Sequence, residues 1–169
     1  VIKVGSSLII GNNSNLINTN FLTILVTEIA KFKNSGKEIL LVSSVALALG
    51  KKSLGIEKKK LKVSEKQTDT SVDQVLLINA WKKAFLNNKK QGGQILITHL
   101  DAEIRSSSMN ARNTIEALIK LNSIPVINEN DTIATQELRY GDNDQLAARV
   151  AQSTSSDLLI LLSDVDGLY

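Results

Sequence analysis

Ile124-Pro125-Val126-Ile127-Asn128-Glu129-Asn130-Asp131 passes from an apolar run straight into a cluster of amides and carboxylates. The run at 124–127 has no polar alternation, which suits a strand covered on both faces. Similar runs recur at 1–4, 38–42, 94–98 and 158–162. Between them lie segments of helical period. In 21–33, Phe21, Leu22, Leu25, Val26, Ile29 and Phe32 share one face. Thr19 or Asn20 is placed to cap its start, and Gly36 stands where a C-terminal glycine belongs. Segments 110–121 and 142–151 repeat the pattern. A long helix is expected over 64–86, although Asp69 and Asp73 fall among its apolar positions. Strands alternating with helices predict an α/β fold with a largely parallel sheet.

In open sheets of this kind, ligands bind beyond the carboxyl ends of the strands. The residues expected there are Gly5, Ser6 and Ser7 after the first run, then Ser43 and Ser44. His99 and Asp101 follow the third run, and the 128–131 cluster follows the fourth. Ser163, Asp164 and Asp166 come after the fifth. Turn and cap chemistry accounts for part of this collection.

Composition removes several chemistries. The 169 residues contain no Cys and one His, which excludes disulfides, thiolate metal sites, cysteine nucleophiles and multi-histidine metal centres. The absence of Cys fits a cytoplasmic protein. An apolar fraction of 43% against 22% charged residues describes a globular chain rather than a disordered one. No apolar run approaches the roughly 18 residues of a membrane helix, and no secretory signal opens the chain. Val1 reads as a trimmed start. The net charge of +3 is concentrated in Lys51, Lys52, Lys58, Lys59, Lys60, Lys62 and Lys66. With no aromatic interleaved, that stretch reads as a solvated loop before the long helix rather than a nucleic-acid platform.

Three segments carry chemistry. Lys3 sits inside a buried-looking strand ahead of the turn Gly5-Ser6-Ser7. A buried lysine needs an anionic partner, and backbone amides of such a turn can cradle phosphate. The alternative is a strand-end lysine reaching solvent. The 128–132 segment and Gly141-Asp142-Asn143-Asp144 pack amides beside carboxylates, a combination that can hold both ends of a zwitterion.

Six segments together, Lys3-Val4-Gly5-Ser6-Ser7, Val42-Ser43-Ser44, Asn110-Ala111-Arg112-Asn113-Thr114, the 124–131 stretch, Gly141-Asp142-Asn143-Asp144 and Leu162-Ser163-Asp164-Val165-Asp166-Gly167-Leu168-Tyr169, follow the order and spacing of the glutamate 5-kinases. The chain resembles that branch of the amino acid kinase family over its whole length. The 110–114, 124–131 and 141–144 segments distinguish it from acetylglutamate, aspartate, carbamate and uridylate kinases.

The resemblance implies a three-layer α-β-α sandwich and ATP-dependent phosphorylation of the glutamate γ-carboxylate, with Mg²⁺ carried by ATP. It places Lys3 at the transferring phosphate and Asp144 as the residue orienting catalytic lysines. Ser44, Asp131 and Asn143 match glutamate-binding positions, with Asn128 and Asp142 nearby. Gly5 and Ser6 belong to the phosphate-side turn, and Ser163 and Asp164 match a nucleotide-binding pair. It implies a homo-oligomer, a cytoplasmic location and a product that feeds proline synthesis. It also implies a kinase domain over 1–169 whose glycine-rich segment and second lysine for ATP lie past Tyr169. Two positions depart from the family. Val45 stands where a glycine follows the serine pair, and Asp73 replaces a glycine ahead of Gln74. The other readings are a glutamate-binding module without turnover and a different amino acid kinase.

Overall fold

The computed structural model describes residues 1–11, 16–43, 63–133 and 143–164. They hold five strands: β1 (Ile2–Val4), β2 (Leu41–Ser43), β3 (Gly92–Ile97), β4 (Ile124–Glu129) and β5 (Ile160–Leu162). The helices are α1 (Ser6–Ile9), α2 (Thr19–Asn34), α3 (Val63–Asn87), α4 (His99–Glu103), α5 (Arg105–Lys120) and α6 (Asn143–Ser153). The strands form one sheet in the order β3-β4-β2-β1-β5, and every pairing is parallel. This is the expected α/β architecture.

Alternation along the strands sorts the core into two layers. Ile2, Val4, Leu41 and Val126 pack with Leu22, Val26, Ile29, Trp81 and Phe85 on the α2–α3 face. Leu40, Val42 and Ile127 pack with Ile115, Leu146 and Val150 on the α5–α6 face. The parity has a direct consequence for β1. Ile2 and Val4 fill the first layer, so Lys3 must face the second, towards α6.

The expected helices and strands form, with shifted ends. Residues 38–40 precede β2 rather than belonging to it, and Ser43 joins the strand. Strand β4 runs on through Asn128 and Glu129, which are therefore strand residues and not a following loop. The α2 cap is Asn18, neither Thr19 nor Asn20. Its side chain accepts a hydrogen bond from the Phe21 amide at 3.1 Å. Gly36 follows the C-cap Ser35 with φ +84°, as expected. Helices α1 and α4 were not foreseen.

Among the described residues, the central strands are covered on both faces and the outermost ones only in part. Ile160 and Leu161 of β5 are 40% and 49% exposed. In β3, Ile95 and Ile97 are buried while Leu96 is exposed. An edge strand has neighbours on one side only, and fewer helices reach over it. The start of β3 is nonetheless closely packed. A Cβ on Gly92 would stand 2.6 Å from the Phe85 ring of α3, and one on Gly93 would stand 2.7 Å from Leu118 of α5. The glycines let one helix settle on each face.

Among the described residues, no helix is long and apolar enough to cross a membrane.

Candidate functional site

Connections leave the sheet in opposite directions. From β2 the chain travels towards β3, and from β4 it crosses to β5 on the far edge. Such a reversal opens a crevice at the carboxyl ends of an open α/β sheet. The carboxyl ends of β2, β4 and β1 and the N-terminus of α6 meet at this rim.

Lys3 is 5% exposed. Facing α6 as the strand parity requires, its Nζ lies 2.6 Å from Asp144 Oδ1. The Lys3 side chain is 7% exposed and that of Asp144 38%, so the pair spans from the core to the open rim. A charge-assisted contact of this length offsets much of the cost of burying an ammonium group. The lysine is thus held by an anion rather than reaching solvent.

Beside the pair, an amide network ties three elements together. Asn143 Nδ2, at the start of α6, donates to the Ser43 carbonyl of β2 at 3.0 Å and to Asn128 Oδ1 of β4 at 3.1 Å. Asn128 Oδ1 also accepts from the Glu129 amide at 2.8 Å. All four residues are buried, with Ser43 wholly so. Gln74 of α3 donates to the Glu129 carbonyl at 3.0 Å. Trp81 Nε1 donates to Ser43 Oγ at 3.1 Å. One amide group donates to two strands at once, so the network ties the start of α6 to β2 and β4. It thereby fixes where Asp144 meets Lys3.

The Gly5-Ser6 segment adjoins β5. The Gly5 amide donates to the Leu162 carbonyl at 3.0 Å. A Cβ on Gly5 would stand 3.2 Å from that oxygen and 3.9 Å from the Ser163 Cα. Glycine here allows β1 and β5 to end side by side, which brings Gly5 and Ser6 next to Ser163. Ser163 and Asp164 are exposed, and Ser163 Oγ donates to Asp164 Oδ1 at 3.3 Å. Asp131 lies just past β4, half-buried, where Thr132 donates to Asn130 Oδ1 at 2.6 Å.

Of the residues singled out in the sequence, Lys3, Asp144, Asn143 and Asn128 are joined directly. Gly5, Ser6, Ser163 and Asp164 form the adjacent turn pair. Ser44, Asp142 and Val45 lie outside the described residues, as does the lysine-rich stretch up to Lys62. Asp73 is fully buried in α3, one residue from Gln74. Ser43 and Trp81 were missed as network members. The signal for Trp81 was available, since it is the only tryptophan of the chain and a buried indole N–H nearly always finds an acceptor. Among the described residues, no three His, Asp or Glu side chains gather as a metal cluster.

Comparison with known proteins places these features in a wider set. The model of the amino acid kinase family matches residues 1–169. A glutamate 5-kinase of Rhodospirillum rubrum is 46% identical over the whole chain, which covers 45% of that protein. A glutamate 5-kinase of Agrobacterium fabrum is 48% identical, with 43% of it covered. The chain therefore spans under half the length of the curated relatives it matches. Among solved structures, a T. acidophilum isopentenyl phosphate kinase in a product complex superposes with a TM-score of 0.67 at 17% identity. The match takes in 99% of this chain and 71% of that one. At that identity the likeness is one of fold.

Proposed function

The chain belongs to the amino acid kinase family, and from that membership we propose that it takes part in ATP-dependent phosphorylation of the glutamate γ-carboxylate, as a glutamate 5-kinase does. The observation that carries the reading is the buried Lys3 held 2.6 Å from Asp144, between the amide network on one side and the Gly5 turn on the other. The near-half identity to glutamate 5-kinases supports the choice of acceptor.

A γ-carboxylate has a reference pKa of about 4.3 and is already ionised at neutral pH. No general base is needed, in keeping with a rim that has no histidine pair. In the reaction a carboxylate oxygen attacks the γ-phosphorus of ATP in line. The new O–P bond forms as the bond to the β-phosphate oxygen breaks, giving an acyl phosphate and ADP. ATP enters as its Mg²⁺ complex. The task left to the protein is positioning and neutralising charge. In our reading Lys3 meets the transferring phosphoryl group, and Asp144 aims it. Asn143, Asn128 and Asp131, with Ser44 and Asp142, contact glutamate. Gly5 and Ser6 face the phosphates, and Ser163 with Asp164 contact the nucleotide. The same reading sends the product towards proline synthesis, in a cytoplasmic homo-oligomer.

The test traps the acyl phosphate with hydroxylamine while ATP consumption is followed. Glutamate-dependent hydroxamate is expected, with N-acetylglutamate and aspartate inactive as acceptors and turnover lost in Lys3→Ala. Product formation with N-acetylglutamate instead would replace glutamate as the substrate. A second reading is glutamate binding without turnover. Calorimetric binding of glutamate by folded protein that yields no hydroxamate would select it. Absence of both binding and product would overturn both readings.

A further inference from the structure

The Asn110-Ala111-Arg112-Asn113-Thr114 segment, distinctive in the sequence, supplies none of the rim contacts described above. Two of its residues, Ala111 and Arg112, line a separate cavity of about 160 Å³ beneath α4, α5 and α6. Its wall is apolar where Ile97, Ile115, Leu146 and Val150 meet. Ile115 and Leu146 are almost wholly buried. Arg112 and Arg149 also line it, and both are exposed, so they stand at its mouth.

The charged side chains that line the cavity are both arginines. No carboxylate lines the cavity among the described residues. Arg112 uses its Nε to hold Glu116 at 2.8 Å, which leaves the rest of its guanidinium free to donate elsewhere. Arg149 has no ion-pair partner among the described residues. An apolar wall with guanidinium donors at the opening selects an occupant with a short hydrocarbon body and an anionic head. A cavity of about 150 Å³ accepts a molecule of roughly six heavy atoms. We propose that this cavity is a binding site for a short branched aliphatic carboxylate, with the hydrocarbon against Leu146 and Val150 and the carboxylate on Arg149 and Arg112.

The cavity is distinct from the rim. Arg149 lies six residues along α6 from Asn143, about 9 Å at 1.5 Å per residue. The inference rests on the lining of the cavity and stands whether or not the kinase reading holds.

The test is an amide NMR titration of this protein with isovalerate, with isopentanol as the uncharged body and with inorganic phosphate as the bare anion. Isovalerate should give saturable shifts centred on Leu146, Arg149 and Val150, and these should persist in excess glutamate. Binding should weaken roughly tenfold for isopentanol and for Arg149→Gln, the loss of one charge-assisted contact. Arg149 is exposed, so the variant should fold. No saturable shift with isovalerate would overturn the site. So would equal binding of isopentanol, which would make it an apolar void only, or equal binding of phosphate, which would make it an arginine surface only. Displacement of isovalerate by glutamate would place the ligand in the rim site instead and overturn the inference.

Discussion

Asp69 is the residue whose surroundings agree least with its chemistry. It lies in α3, fully buried, and neither carboxylate oxygen has a hydrogen-bond partner among the described residues. A buried polar group left without a partner costs about 1–3 kcal/mol, and aspartate is also a poorer helix former than alanine by roughly half a kcal/mol. Asp69→Ala should therefore stabilise the fold by about 1–3 kcal/mol, seen as a higher urea midpoint at unchanged slope. A lower midpoint would mean that the carboxyl is satisfied in solution. Lys3 shows the opposite balance in the same core, because strand parity turns it onto Asp144. Both residues could be picked out in the sequence as charges in apolar company. Only the fold could tell which of them had a partner, since that partner lies 141 positions away in one case and is not found among the described residues in the other.

At the scale of elements, the sequence was most informative where burial is two-sided. The apolar runs of β1, β2 and β4 marked the sheet centre, and the six-residue face of α2 marked its helix. It was least informative at the edges and ends. Strand β5 has the same Ile and Leu content, and among the described residues Ile160 and Leu161 are partly open. The polar residues Asn128 and Glu129 looked like loop because of their chemistry, while ladder pairing to Leu96 and Ile97 keeps them in β4. Close approach between elements is also invisible until the helices are placed. Gly92 illustrates this, since a Cβ there would meet a Phe85 ring that is 1% exposed and stacked on Trp81 at a centroid distance of 5.8 Å. The ring has little room to move, so Gly92→Ala should destabilise by about 1–3 kcal/mol. Thermal unfolding at equal protein concentration would measure it, and a variant as stable as the parent would show that the edge strand yields instead.

Across the whole molecule, the order β3-β4-β2-β1-β5 divides the rim into two sides with Lys3 between them. Ser43, Asn128 and Asn143 lie on the β2–β4 side, and Gly5 and Ser163 on the β1–β5 side. If the proposed function is right, the first side serves glutamate and the second serves nucleotide, and each can be damaged without the other. Asn143→Ala removes the donor shared by Ser43 and Asn128, and should weaken glutamate binding at least ~10-fold, the scale of one to two lost hydrogen bonds. Nucleotide affinity should hardly change. Gly5→Val crowds the Leu162 carbonyl, already 3.2 Å from a Cβ at that position, and should weaken nucleotide binding with glutamate affinity kept. Calorimetry with glutamate and with a non-hydrolysable ATP analogue separates the two effects. Lys3→Ala, at the junction, should leave each ligand bound within a few-fold while removing phosphoryl transfer, because its interaction is strongest in the transition state. Equal losses of both ligands in both side variants would show that the rim behaves as one cooperative unit, and the assignment of substrates to sides would fall with that result.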